Sequence, residues 1–332
     1  MAKKCEDILI IGGGLIGLCL APVLGKLNYK VSIIDKNLIS SGAEINKDTR
    51  TIAISQGTKI FLEKYELWKK ISSKTEPINI IKVLNRDDSS KINFDIDKTK
   101  KPMGYIIEHI FFKKKLLEII KSYKNIKLIE SVKIEDISSN DNYISVKLNK
   151  KTSIHAKLAI AADGKFGLIK NLYKIPTYKI EYGQSAIVSN FIHSRNHNNT
   201  AYEIFLSNGP LATLPMQAVG EHYQSSMIWS EKNDVVDKFL NYDPAKIKNI
   251  IEKMTSPYLG KIIKIQNIKT HSLSAHICRK FYDKRIAFVG DTAHSIHPIA
   301  GQGWNLGMRD IKCLVECLEE YNKLGLDIGS QT

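Results

Sequence analysis

Two glycine-bearing segments near opposite ends of the chain carry its most legible chemistry. The first is Ile10-Ile11-Gly12-Gly13-Gly14-Leu15-Ile16-Gly17, followed by Val31-Ser32-Ile33-Ile34-Asp35. In a Gly-x-Gly-x-x-Gly turn between strand and helix, Gly12 permits the tight turn and Gly14 lets the backbone approach a pyrophosphate. Gly17 allows close packing of helix on strand, and the helix N-terminus faces the phosphates with its partial positive charge. Asp35, ending the next strand, is placed to accept hydrogen bonds from adenosine ribose hydroxyls. Its carboxylate would repel a 2′-phosphate. The second segment is Gly290-Asp291, then His297-Pro298-Ile299-Ala300-Gly301-Gln302-Gly303-Trp304-Asn305-Leu306-Gly307. An aspartate ending a buried strand, before a glycine-rich turn into a helix, suits a ribityl chain and a flavin ring. Asp291 would bind a ribityl hydroxyl, and the backbone of Gly301-Gln302-Gly303 would press on the isoalloxazine, where side chains would clash. A helix starting near Asn305 would aim its positive end at the N1–C2=O edge, which becomes negative on reduction. Either segment alone leaves the cofactor open. Together, in this order, they point to FAD rather than a nicotinamide as the tightly held nucleotide.

His294 and His297 invite an acid–base assignment, because a histidine beside a flavin can stabilise a phenolate or shuttle protons. A second reading stays open for His297, in which it orients the Pro298 turn by hydrogen bonding.

These groups need a scaffold, and the apolar spacing supplies one. Residues 7–12 read as a strand buried on both faces. Residues 15–27 follow as a helix, Asn28 as a left-handed turn, and residues 30–34 as a second strand. Residues 58–70 and 108–123 read as helices; Phe112, Leu116, Ile119, Ile120 and Tyr123 repeat at helical spacing. Strands are expected at 146–148, 158–161 and 285–289. A final helix carries Ile311, Leu314, Val315, Leu318 and Tyr321 on one face. Between 180 and 275 the pattern changes to short strands at 185–192, 201–206, 211–214 and 223–230, with a turn at Asn208-Gly209-Pro210. The stretch 76–100 looks similar, with Asp87-Asp88 as its turn. The expected fold is α/β: a discontinuous Rossmann-like lobe (1–75, 101–179, 276–332) and a mainly antiparallel sheet lobe (76–100, 180–275).

At 332 residues the chain can bury a large core. A net charge of +15 leaves two readings: lysines spread over a solvated surface, or attraction to an anionic membrane face. No basic stripe is interleaved with aromatics, which argues against nucleic acid. The five cysteines form no Cys-x-x-Cys pair; Cys313 and Cys317 share a helix face and are expected in the core. That usage fits a reducing, cytoplasmic compartment. His193 and His197 lie in an Arg/Asn-rich stretch that reads as a loop, without a visible third ligand, so no metal site is expected. Residues 1–24 imitate a signal peptide. Glu6 and Asp7 break its positive flank and a glycine triplet interrupts its apolar run, so export is not expected.

With these motifs in place, the chain resembles the ubiquinone-biosynthesis hydroxylases, a branch of the para-hydroxybenzoate hydroxylase-like flavin monooxygenases. The resemblance covers nearly the whole chain. It rests further on residues 48–55 (Asp48-Thr49-Arg50-Thr51-Ile52-Ala53-Ile54-Ser55), on Asp163-Gly164, and on Gly183-Gln184-Ser185-Ala186. Gly209-Pro210-Leu211-Ala212 with Leu214-Pro215, and His297 through Asp310, complete it. The resemblance implies that Arg50 lies over the cofactor, against its phosphates or the flavin; an ion pair with Asp48 or Glu44 is the other reading. It implies that Asp163 and Gly164 form the shared FAD/NAD(P)H motif, although Gly167 and Lys170 replace the usual serine and arginine. It implies a transient NAD(P)H donor, a C4a-hydroperoxyflavin, and O₂ delivered to a polyprenylated phenol. Ile187, Phe191, Phe205, Leu211, Leu214 and Met227 are candidates for a channel around its tail, or for ordinary core. It also implies peripheral contact with the inner membrane face and association with other quinone-biosynthesis enzymes. Family members continue into further helices where this chain stops, which motivates one alternative, an inactive assembly subunit; the other is another FAD oxidoreductase acting on an isoprenoid lipid.

Overall fold

β1 (Cys5–Ile11) is apolar on both sides because both sides are covered. Ile8 and Ile10 pack into one core layer, and Leu9 and Ile11 into the other. The chain is described by a computed structural model over residues 5–40, 48–86, 90–96, 101–149 and 152–330. β1 pairs in parallel with β2 (Val31–Ile34) and β11 (Thr152–Ala161). The parallel core extends to β8 (Ile126–Ile129) on one side and β19 (Ile286–Phe288) on the other. Antiparallel edges are added by β18 (Tyr282–Asp283), β10 (Ile144–Leu148) and β9 (Ile134–Ser139). Helices α1 (Leu15–Lys26), α4 (His109–Lys121) and α8 (Gln302–Lys323) cover one face. Asn28 takes the left-handed conformation expected of it, with φ 64°.

The second large sheet joins β5 (Ile80–Asn85), β6 (Lys91–Asp95), β12 (Thr177–His193), β13 (Thr200–Leu206) and β14 (Gly209–Val219). It also holds β15 (His222–Lys232), β16 (Ile262–Ile265), β17 (Lys269–Cys278) and β20 (His294–Ser295). One antiparallel sheet from two insertions was the expectation, and two points correct it. The insertions meet through a parallel pair, β5 with β13. Residues 75–78 leave this sheet altogether: β4 (Thr75–Ile78) joins β7 (Gly104–Glu108) and β3 (Thr51–Ser55) in a three-stranded sheet.

Smaller corrections have local causes. The helix expected over 58–70 is two, α2 (Gln56–Lys64) and α3 (Trp68–Ile71), because Glu66 takes φ 62° between them. Leu206 pairs with Gly209, so the β13–β14 turn is Ser207-Asn208, while Gly209 and Pro210 already belong to the strand. The Asp87-Asp88 turn lies outside the described residues. Cys313 and Cys317 do share a face of α8, but it is the solvent face. His193 ends β12 rather than sitting in a loop; it is buried, with Nε2 2.9 Å from Ser225 Oγ. α5 (Ile169–Leu172) is a single short turn.

Two helices, α6 (Asn233–Leu240) and α7 (Pro244–Leu259), were not anticipated. The α7 start was readable: Asp243 caps Lys246 N at 2.8 Å and Pro244 occupies the first turn. These helices cover one face of the large sheet, burying Ile187, Phe191, Leu211 and Met227 with Phe239 and Ile251. Four of the six channel candidates are therefore helix-covered core. Leu214 faces the other way, packed with Ala53, Ile106 and Met216.

Candidate active site

Both glycine-bearing segments end parallel strands of the first sheet, so backbone pairing brings them together. Gly12 takes φ 117°, and a Cβ there would fall on the Ala162 carbonyl at the end of the adjacent strand. A Cβ on Gly17 would strike the Gly12 carbonyl. A Cβ on Gly14 would meet nothing within 4 Å, and the same holds for Gly303. Gly12 and Gly17 are thus glycines because of the protein, whereas Gly14 and Gly303 border open space. Asp35 closes the first turn: Oδ2 accepts from Gly13 N at 2.7 Å and Oδ1 from Asn37 N at 2.7 Å.

Gly290 has φ 59°, and its N–H donates to Asp310 Oδ2 at 2.8 Å. The same oxygen lies 2.7 Å from His294 Nε2. Asp310, seen in the sequence only as the end of a motif, therefore ties α8 to the loop holding Asp291. The Asp291 carboxylate has no hydrogen-bond partner among the described residues. Desolvation raises its pKa, against the pull of His294, Lys165, Arg50 and Lys170. The residue keeps its solvent access even so.

Thr292, which nothing in the sequence singled out, joins the third motif to the second. Its hydroxyl donates to Asp163 Oδ1 at 3.1 Å and accepts from Gly164 N at 2.9 Å. Asp163 Oδ2 accepts from Ile169 N at 3.0 Å. Desolvation raises the Asp163 pKa despite these bonds. The departure at Gly167 has a steric reason, because a Cβ there would fall on the Asp163 carboxylate. Gly167→Ser should therefore break the Asp163–Ile169 bond and lower stability by about 1 kcal/mol, read as a drop in Tm. Lys170 Nζ lies 2.6 Å from Lys165 O and 3.4 Å from His276 Nε2. Burial lowers the pKa of both lysines.

Arg50 forms a two-point pair with Asp48, Nη2 to Oδ2 at 2.6 Å and Nε to Oδ1 at 2.9 Å. His109 Nδ1 approaches Asp48 Oδ2 at 3.1 Å. Desolvation opposes ionisation of Asp48, but the hydrogen bonds from His109 and Arg50 hold it well below the usual carboxylate range. Arg50 also pulls the Asp291 pKa down, and with Asp48 and Thr49 it lines a cavity walled by Asn190, Gln224 and Lys264 of the large sheet. Glu44 lies outside the described residues.

Asn305 does not point its amide at open space. Oδ1 accepts from Ser55 N and Thr58 Oγ1, both at 2.9 Å. Nδ2 donates to Ala53 O at 2.7 Å and Gly301 O at 3.3 Å. Its side chain pins β3 to the start of α8. That helix begins at Gln302, after Gly301 in the left-handed conformation. Asn305→Ala should cost about 2 kcal/mol, since one buried and three part-buried groups lose a bond, and should be visible in thermal melts. His297 sits edge-on to Tyr182 with ring centroids 5.1 Å apart, and its Nδ1 is buried without a partner. Hydrogen bonding to the Pro298 turn is therefore not what Nδ1 does. Burial lowers the His297 pKa.

Known proteins with the same pattern can now be set beside this geometry. The FAD binding domain family matches residues 6–323. The ubiquinone hydroxylase UbiL of Rhodospirillum rubrum is 30% identical over 329 residues, covering 99% of this chain and 76% of the relative. The 3-demethoxyubiquinol 3-hydroxylase of Escherichia coli is 24% identical, covering 98% and 82%. Among solved structures, PqsL of Pseudomonas aeruginosa, a probable FAD-dependent monooxygenase, superposes with a TM-score of 0.81 at 16% identity, covering 98% of this chain and 89% of that one. The p-nitrophenol 4-monooxygenase PnpA of Pseudomonas putida gives 0.78 at 17% identity, covering 97% and 81%.

Proposed function

Because the chain belongs to the ubiquinone-biosynthesis hydroxylases, FAD-dependent aromatic monooxygenases with the FAD binding domain, we propose that it hydroxylates the ring of a polyprenylated phenol on the way to ubiquinone. NAD(P)H is the transient electron donor and O₂ the oxygen source in this reading. The observation that carries it is the parallel pairing of β1, β11 and β19, which brings the segments of Gly14, Asp163 and Asp291 to neighbouring strand ends.

The residues fit FAD. Gly14 and Gly303 border space that a Cβ would enter freely, and Asp291 presents a carboxylate without a protein partner. Gly14 and the α1 N-terminus would receive the pyrophosphate, and Asp35 the adenosine ribose. Asp291 would take a ribityl hydroxyl, and the Gly301–Gly303 backbone would lie against the ring. Gly12, Gly17, Gly164, Gly290 and Asn305 support these contacts by fixing the backbone. When bound, FAD supplies the electron transfer and oxygen activation that no side chain provides.

The protein's own part is to position and to keep water out. Leu214, Ala53 and Met216 form a dry wall between the large sheet and the Gly301 turn. His297, edge-on to Tyr182, offers an imidazole that could accept a proton. Arg50, paired with Asp48, would meet the phosphates of FAD or of the donor in this reading. In this reading residues 1–75, 101–179 and 276–332 form the nucleotide lobe and 76–100 with 180–275 the substrate lobe, except that 76–78 join the three-stranded sheet and 177–179, 276–278 and 294–295 join the large one.

Among the described residues no helix is long and apolar enough to cross a membrane. The net charge of +15 and an isoprenoid substrate favour peripheral contact with an anionic membrane face, beside other enzymes of the same pathway. Incubation with FAD, NAD(P)H, ¹⁸O₂ and a prenylated phenol tests the reaction. Label in the ring hydroxyl supports the hydroxylase, and oxidised product without label assigns the chain to another oxidoreductase class.

A further inference from the structure

The large sheet presents one face to α6 and α7 and the other to the nucleotide lobe. On β13, Tyr202 and Ile204 belong to the helix-covered core. Strand alternation therefore sends Glu203 to the opposite face, with Ala201, which packs beside Ala53 and Leu214. Backbone register places Glu203 in a row between Val83 and Ala212, and the row continues through Ile228 to Val188. Leu214 is its diagonal neighbour across the β13–β14 pair, roughly 7–8 Å away and within reach of a glutamate side chain. Leu214 packs on Ala53, and a Cβ on Gly301 would come 2.9 Å from the Ala53 Cβ. The row thus lies on the sheet face whose Leu214 and Ala53 pack toward the Gly301 turn.

Glu203 is half-buried, and no described residue gives it a hydrogen bond or an ion pair. A carboxylate set among valine, alanine and leucine without a partner is costly unless something else meets it. We propose that Glu203 is the substrate-facing acid–base residue, accepting the proton of the phenol hydroxyl; this rests on the reading of the site as a phenol hydroxylase. The phenol O–H bond breaks, the proton passes to a Glu203 carboxylate oxygen, and the electron pair stays on the phenol oxygen. Delocalised into the ring, that pair makes the ortho and para carbons better acceptors of electrophilic oxygen. Return of the proton to the product restores the carboxylate.

Desolvation raises the Glu203 pKa to about 7, which matches a group that must both take and give a proton near neutrality. No neighbouring charge contributes. Lys82 on β5 lies on the opposite face with Nζ 5.9 Å over the Tyr202 ring, and β14 carries no charged residue. Glu76 on β4 is bound by Asn199, and Arg50 is paired with Asp48. Lys269 and His271 share this face only at its far edge on β17.

The test uses holoprotein with a monoprenylated phenol, following the single-turnover rate of ring hydroxylation from about pH 5 to about pH 9. In the wild type that rate should rise with pH and level off above about 7, where Glu203 is ionised and able to accept the phenol proton. In Glu203→Gln the rate should be roughly a hundredfold lower and lose that rise, with FAD content unchanged. An unchanged rate and pH profile in Glu203→Gln overturns the proposal. Folding offers a separate check. With a raised folded pKa, the stability linked to this carboxyl is full below its unfolded pKa and is lost as pH rises through about 7. Glu203→Gln should abolish that loss. Absence of ¹⁸O product from the wild type would sink the hydroxylase reading, whereas an active wild type matched by Glu203→Gln would sink the role of Glu203 alone.

Discussion

Gly12→Ala should leave little folded protein, whereas Gly14→Ala should fold normally and fail to hold FAD. The two positions are two residues apart, and their surroundings are opposite. At φ 117° an alanine at 12 is strained, and its methyl would overlap the Ala162 carbonyl at the end of β11. Neither that carbonyl nor the neighbouring Asp163 N can retreat without breaking the parallel pairing of β1 with β11. Strain and overpacking together cost about 2–6 kcal/mol, a large share of an ordinary domain's stability. Gly14 has φ −73° and ψ 176°, which alanine adopts freely, and no protein atom lies in the way. Only a pyrophosphate drawn against the backbone would meet the methyl. Melts of the FAD-free proteins and flavin titrations separate the cases. Gly14→Ala should melt like the wild type and bind FAD at least about tenfold more weakly.

Asp291→Ala should purify without flavin. The carboxylate has no protein hydrogen bond to lose, and burial already disfavours its charge, so the FAD-free variant should be no less stable than the wild type. The loss falls on the ligand. One charge-assisted hydrogen bond to a ribityl hydroxyl contributes about 1.5–3 kcal/mol, roughly 10–150-fold in affinity. Lys113→Ala, on α4, should leave FAD bound. Equal FAD affinity in the wild type and Asp291→Ala would remove the ribityl chain from this position.

The nucleotide lobe was legible because its signals are local. A glycine pattern between an apolar strand and a helix, with Asp35 one strand later, needs no long-range information. The large sheet was legible as strands but not as a pairing, since register depends on partners far apart in sequence. Ile81 and Ala201 meet in parallel, and nothing near either residue announces it. The site's supports were hidden for the same reason. Thr292, Asp310 and the Ser55–Asn305 bond act across 16 to 250 residues of chain. The α7 helix was missed although Asp243-Pro244 advertised its start, because the strand-like stretches on either side dominated the pattern. Glu203 could be read only once alternation on β13 was tied to which face the helices cover.

The most direct measurement is the visible spectrum of the purified chain titrated with FAD, with the bound stoichiometry counted. Gly14 and Asp291 acting on one ligand predict a single FAD per chain in the wild type and a strongly weakened complex in each single variant. A wild-type chain that stays colourless with excess FAD, or variants that bind it as tightly as the wild type, would contradict a shared flavin site.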